Sequence, residues 1–200
     1  MPQPIEFYFD FSSPYAYFAA LEIEELGRRQ GREVVWKPIL LGAVFKITGA
    51  SSLLDIPIKG SYARRDMERS ARRLDVPFQI PRPFPFTAVP GGRAFYWLAD
   101  QDIAQAKDLA MTLFHAAFSE GRDISTADAV AEVAARRGHD FVQLRAALDD
   151  PAIKHRLREE VQAAQDKGVF GSPFFLVDGE PFWGHDRLPD VEAWARTAGW

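Results

Sequence analysis

The first 41 residues place the strongest constraint on the fold. Ile5 to Phe11 alternates and is rich in aromatics, which predicts a strand. It ends at Ser12-Ser13-Pro14. From Pro14 to Arg29 the pattern changes, with Ala16, Ala19, Ile23 and Leu26 near helical spacing. A proline in the first turn, Arg28 and Arg29 in the last and Gly31 just beyond predict a helix with both ends marked. Val34 to Leu41 then predicts a second strand. Strand, helix and strand in this span clear the ~30 residues that a parallel βαβ unit needs.

The middle of the chain differs. Ser61 to Asp75, Ala88 to Asp102, Ile103 to Gly121, Thr126 to Gly138 and Pro151 to Gly168 lack alternation and are rich in Ala, Arg, Glu and Leu, which predicts five helices. Pro77 to Pro90 holds five prolines and is expected to be a loop. Phe174 to Val177 and Pro181 to Trp183 flank Asp178-Gly179, a hairpin signal. Leu188, Val191, Trp194 and Ala195 close the chain at helical spacing. A parallel pair at the start and a hairpin at the end share one mixed sheet if the helical block is an insertion. The expected fold class is therefore α/β: a thioredoxin-like βαβ…ββα sheet with a large all-helical insertion. Residues 1–41 and 169–200 would form the thioredoxin-like part and residues 42–168 the insertion.

Composition narrows the chemistry. With 28 acidic and 24 basic residues the formal charge is -4, so no general attraction to nucleic acid or an anionic membrane is expected. No apolar run approaches ~18 residues, and Met1 to Glu6 has no basic-then-apolar leader pattern, so a cytoplasmic protein is expected. There is no cysteine, which removes disulfides, thiolate ligands and a thiol nucleophile of the chain's own. His115, His139, His155 and His185 are scattered without metal-ligand spacing, so no metal site is expected. Neither a Gly-x-Ser-x-Gly elbow nor a glycine-rich phosphate loop is present.

Five positions stand out. Ser13 lies where a strand meets a helix: it is either a plain N-cap or a hydroxyl beside a helix pole that favours an anion. Ser172-Pro173 opens a strand and is either an ordinary loop proline or a cis bond. Asp186 suits a helix cap or a ligand ammonium group. Lys59 precedes a run containing Arg64, Arg65, Arg69, Arg72 and Arg73 and is the better candidate for an anion, the arginines suiting a solvated helix face. Lys37 either meets a substrate carboxylate or reaches to water.

Taken in order, Phe9-Asp10-Phe11-Ser12-Ser13-Pro14-Tyr15-Ala16-Tyr17, Val35-Trp36-Lys37-Pro38-Ile39-Leu40-Leu41-Gly42, Lys59-Gly60-Ser61-Tyr62, Gly168-Val169-Phe170-Gly171-Ser172-Pro173-Phe174-Phe175 and Phe182-Trp183-Gly184-His185-Asp186-Arg187-Leu188 resemble the 2-hydroxychromene-2-carboxylate isomerase family, a close relative of the kappa-class glutathione transferases. The resemblance runs from about residue 5 to about residue 197. It implies a catalytic serine at Ser13, a cis-proline at Pro173 and a backbone pairing between Ser172 and the cysteinyl part of glutathione. It implies too that Asp186 and His185 hold the γ-glutamyl end and that Lys59 lies near the glycine carboxylate. Glutathione would supply the sulfur that the chain lacks, and Lys37 would meet the carboxylate of a small aromatic substrate. A cytoplasmic homodimer acting in aromatic catabolism, such as naphthalene degradation, is the implied setting. Two alternatives stay open: a kappa-like transferase or peroxidase, and a noncatalytic glutathione-binding protein. Thr48-Gly49-Ala50-Ser51-Ser52-Leu53 departs from the family's Gly-Asn pattern, and Thr87-Ala88 departs after the proline-rich loop.

Overall fold

A computed structural model describes residues 3–197 and 199–200. Strands β1 (Ile5–Phe9), β2 (Val34–Pro38), β3 (Phe174–Val177) and β4 (Glu180–Trp183) form one sheet in the order β2-β1-β3-β4. β1 runs parallel to β2 and antiparallel to β3, and β3 is antiparallel to β4. Helix α1 (Pro14–Arg29) makes the crossover between the parallel strands. The β3–β4 turn has φ 53° at Asp178 and 88° at Gly179, the two positive angles that match the twist of a tight hairpin. The sheet is the thioredoxin-like one that the sequence predicts.

Between β2 and β3 the described residues form, besides a short 3-10 helix at Leu53–Asp55, seven α-helices rather than the five expected. They are α2 (Leu41–Thr48), α3 (Lys59–Leu74), α4 (Val89–Ala99), α5 (Ile103–Phe118), α6 (Ala127–Ala135), α7 (Phe141–Ala147) and α8 (Pro151–Asp166), and α9 (Leu188–Thr197) ends the chain. α2 displaces the end of the expected second strand. Pro38 stops β2, and the chain from Leu41 winds until Gly49 takes a left-handed cap at φ 72°. α7 is seven residues long and starts from Asp140, whose side chain accepts a 2.8 Å hydrogen bond from Gln143 N.

Alternation divides the sheet's side chains between two apolar clusters. Phe7, Phe9, Trp36 and Phe175 face α1 and the inserted helices α4 and α5, packing with Phe95, Leu109, Phe114 and Phe118. Tyr8, Ile39, Val44, Phe174 and Leu176 share a second cluster with Ala164 and Val169. Glycine is required where α1 crosses β2. A Cβ on Gly27 would lie 2.5 Å from Val34 Cγ2 and 2.8 Å from the Arg32 carbonyl oxygen. Gly27→Ala is expected to destabilise the fold by about 1–3 kcal/mol through overpacking, outweighing alanine's helix advantage of about 1 kcal/mol. A urea midpoint at or above the parent's would show that the contact yields. No helix among the described residues is long and apolar enough to cross a membrane.

Candidate functional site

The C-terminal end of β1 carries the site. Ser13 is the N-cap of α1, with extended backbone angles of φ -97° and ψ 111°. Its Oγ accepts from Ala16 N at 3.2 Å and donates to the Ser172 carbonyl at 3.0 Å. The cap and the special hydroxyl are thus one group: the lone pair serves the helix and the hydrogen points across to the loop before β3. The Ser172–Pro173 bond is cis, and Ser172 Oγ accepts from Asp10 N at 2.8 Å. Ser13 is 5 % exposed, so its hydroxyl acts in a low-dielectric place. Pro14 has no N–H and Ala16 N is taken, so Tyr15 N, without a partner among the described residues, is the first-turn amide left to face an anion.

The remaining predicted residues fall into two groups. Asp186 and Lys59 are open. The Asp186 side chain is 70 % exposed and its carboxylate accepts from Arg187 at 3.0 Å. It is not a cap: the 3-10 turn His185–Arg187 starts one residue before it, and its N-cap is Gly184. Asp186 nevertheless bears on α1, because its charge helps to hold the Tyr15 phenol pKa up, after burial and the Asp66 hydrogen bond. Lys59 opens α3 directly after Ile58, an exposed residue at φ 70°. Lys59 N donates to the Pro57 carbonyl at 2.8 Å, a γ-turn that is costly for a β-branched residue and aims the chain into the helix.

The structure places His185 and Lys37 in contact with residues of other elements. His185 is 4 % exposed, and its Nε2 lies 3.0 Å from Arg73 Nη2 and 3.2 Å from Glu22 Oε2. That hydrogen bond to His185 is the main reason the Glu22 carboxyl sits below its usual pKa. Lys37 Nζ donates to Glu160 Oε2 at 3.2 Å, so its charge is matched inside the fold. The arginines of α3 mostly form the solvated face expected of them, since Gly60, Ala63, Met67 and Ala71 take the buried side.

The sequence pattern of the DSBA-like thioredoxin domain matches residues 4–194. A 2-hydroxychromene-2-carboxylate isomerase of Sphingobium xenophagum is 30 % identical over 196 residues, covering 97 % of this chain and 98 % of the relative. The chain belongs to the DsbA-like thioredoxin family, and the 2-hydroxychromene-2-carboxylate isomerases are among its relatives. A glutathione S-transferase kappa 2 of Caenorhabditis elegans is 30 % identical over 201 residues, covering 94 % and 89 %. A solved structure of a 2-hydroxychromene-2-carboxylate isomerase superposes with a TM-score of 0.86 at 28 % identity, covering 96 % of this chain and 93 % of that one.

Four side chains of the site carry no role in the sequence reading: Tyr15, Asp66, Arg73 and Asp10. Tyr15 donates from its hydroxyl to Asp66 Oδ2 at 2.8 Å, fastening α3 to the first turn of α1. Arg73 makes the second tie through His185. Asp10 is buried beneath the turn that carries Ser13. Its signal was visible: a lone carboxylate between two phenylalanines in an apolar run needs a partner. Asp66 and Arg73 gave none, being two charges among many on a polar helix face.

Proposed function

We propose that the protein is a glutathione-dependent isomerase that interconverts 2-hydroxychromene-2-carboxylate and trans-o-hydroxybenzylidenepyruvate or a close aromatic analogue. The observation that carries this is a buried serine hydroxyl at a helix N-terminus, 3.0 Å from the carbonyl before a cis-proline, in a chain with no cysteine. The donor set suits glutathione. Lys59 offers an exposed cation for one carboxylate, Asp186 an exposed carboxylate for an ammonium group, and Ser172 a main-chain pairing point for a peptide.

When bound, glutathione supplies a thiolate for reversible addition to the conjugated substrate, and so lowers the barrier to rotation about the bond. A free thiol of this kind has a pKa near ~8.5. Ser13 has one hydroxyl hydrogen, held by the Ser172 carbonyl. A peptide N–H donated to that carbonyl takes its place and frees the Ser13 hydrogen to turn toward sulfur. Tyr15 N and the pole of α1 add to the same stabilisation. Phe170 and Trp183, exposed and edge-to-face at 5.0 Å, border the Ser172 loop and offer an apolar surface to an aromatic ring. A homodimer belongs to this proposal, and a monomer mass in solution would remove that part.

Calorimetry with glutathione, followed by ultraviolet scans with the chromene carboxylate and a thiol count, tests the reading. Isomerisation without thiol loss is the expected result. Net thiol consumption would instead establish the kappa-like transferase, which the equal identity to the kappa relative favours as the second reading. Absence of binding would overturn both.

A further inference from the structure

One residue ties the pieces of the site together. Asp10 is 3 % exposed, and its carboxylate accepts three hydrogen bonds. Oδ1 takes Ser12 N at 2.7 Å and Ser12 Oγ at 2.6 Å, while Oδ2 takes Leu41 N at 2.6 Å. The main chain adds two more bonds. Asp10 N donates to Ser172 Oγ at 2.8 Å, and the Asp10 carbonyl accepts from Ser13 N at 2.9 Å. The end of β1, the turn into α1, the first amide of α2 and the loop before β3 therefore meet on a single side chain and its peptide groups.

The chemistry of that position is narrow. Leu41 N is the first amide of α2, whose N-cap, Leu40, has no side chain able to accept it. Donors approach Asp10 from both sides, so both of its oxygens must accept. A carboxylate does so; an amide would turn an NH2 toward a donor on one side and orphan it. Burial pushes the Asp10 pKa up, and the hydrogen bonds from Ser12 and the Leu41 amide oppose it, with no charged side chain among the groups acting on it.

We infer that Asp10 is the positioning residue of the site: it fixes the Ser12–Ser13 turn and the start of α2 against the Ser172–Pro173 loop, so that the Ser13 hydroxyl and Tyr15 N–H converge on the ligand sulfur. The inference rests on the glutathione reading. It differs from a merely structural role because most of its effect must pass through Ser13.

The test is Asp10→Asn, with Ser12→Ala as a milder variant, each made in the parent and in Ser13→Ala. Two signals are followed: amide hydrogen exchange at Ser12 and Leu41 in the ligand-free protein, and the ultraviolet thiolate absorbance of bound glutathione across pH. Exchange at both amides is expected to quicken in Asp10→Asn while the amides of α5 keep their rates. The thiolate midpoint is expected to rise by about one unit, a tenfold loss of thiolate below it. Ser12→Ala should move it the same way by less. In the Ser13→Ala background the Asp10→Asn shift should shrink to the smaller part carried by Tyr15 N–H, because Asp10 and Ser13 act as one unit. An equal shift in both backgrounds, or a downward shift showing Asp10 to act as an opposing charge, would overturn the inference. So would parent-like titration of both variants beside a Ser13-dependent parent. A parent that binds no glutathione would overturn the proposed function itself, and this inference with it.

Discussion

Ser13→Ala is expected to lower turnover about 10²- to 10³-fold, the usual cost of removing one hydrogen-bond donor aimed at developing or stabilised negative charge. The fold should barely notice. The substitution deletes the acceptor for Ala16 N and the donor to the Ser172 carbonyl. Loss of such a cap costs about 1 kcal/mol, against a total stability of about 5–15 kcal/mol for a typical domain. A melting point lowered by about 2–4 °C follows for a chain of this size. Ser13→Gly separates the two roles, since glycine at an N-cap costs only a few tenths of a kcal/mol, roughly, and still lacks the hydroxyl. If the hydroxyl is what matters, the alanine and glycine variants lose the same activity while glycine keeps more stability. Turnover within about tenfold of the parent in either variant would remove Ser13 from the chemistry, because a misplaced donor alone accounts for more than that.

How the sequence foretold this site depended on whether each signal was local. The βαβ start, the Asp178-Gly179 hairpin and the caps of α1 lie within a few residues of what they control, and the structure has them where patterning puts them. α2 was hidden because Ile39-Leu40-Leu41 continues the apolar run of β2, and only Pro38 and Gly49 mark where strand gives way to helix. α7 was hidden by its length, too short for periodicity to outweigh the surrounding loop. The partners of Ser13, Asp10 and Tyr15 are 159, 31 and 51 residues away in sequence, at Ser172, Leu41 and Asp66. Spacing gives no hint of such pairings. The same holds for His185 and Lys37: each stands in a motif that suggests a ligand, and each has its charge or hydrogen bond taken by a residue from another element.

Phe9→Ala is expected to be the most destabilising single substitution argued here, at about 3–5 kcal/mol. Phe9 is the last residue of β1 and is fully buried. Its ring lies 5.1 Å from Phe7, 5.2 Å from Phe11, 5.3 Å from Trp36, 5.5 Å from Phe114 and 5.9 Å from Phe95, joining the sheet to α4 and α5. The neighbours are aromatic and held from several directions, so the space left behind collapses poorly, and loss of transfer energy adds to the cost of the cavity. Denaturant unfolding read by tryptophan fluorescence should show the midpoint falling in proportion, whereas Phe170→Ala, at a half-open position, should change stability by under about 1 kcal/mol. The two variants together also bear on how the site is held. Ser13 stands four residues beyond Phe9 and is fixed by a hydrogen bond from Ala16 and by hydrogen bonds to Asp10 and Ser172, not by the Phe9 ring. Phe9→Ala assayed well below its melting point should therefore keep the parent's thiolate titration per folded molecule. A titration that moved with the cavity would mean that aromatic packing, rather than the Asp10 hydrogen bonds, sets the position of the serine.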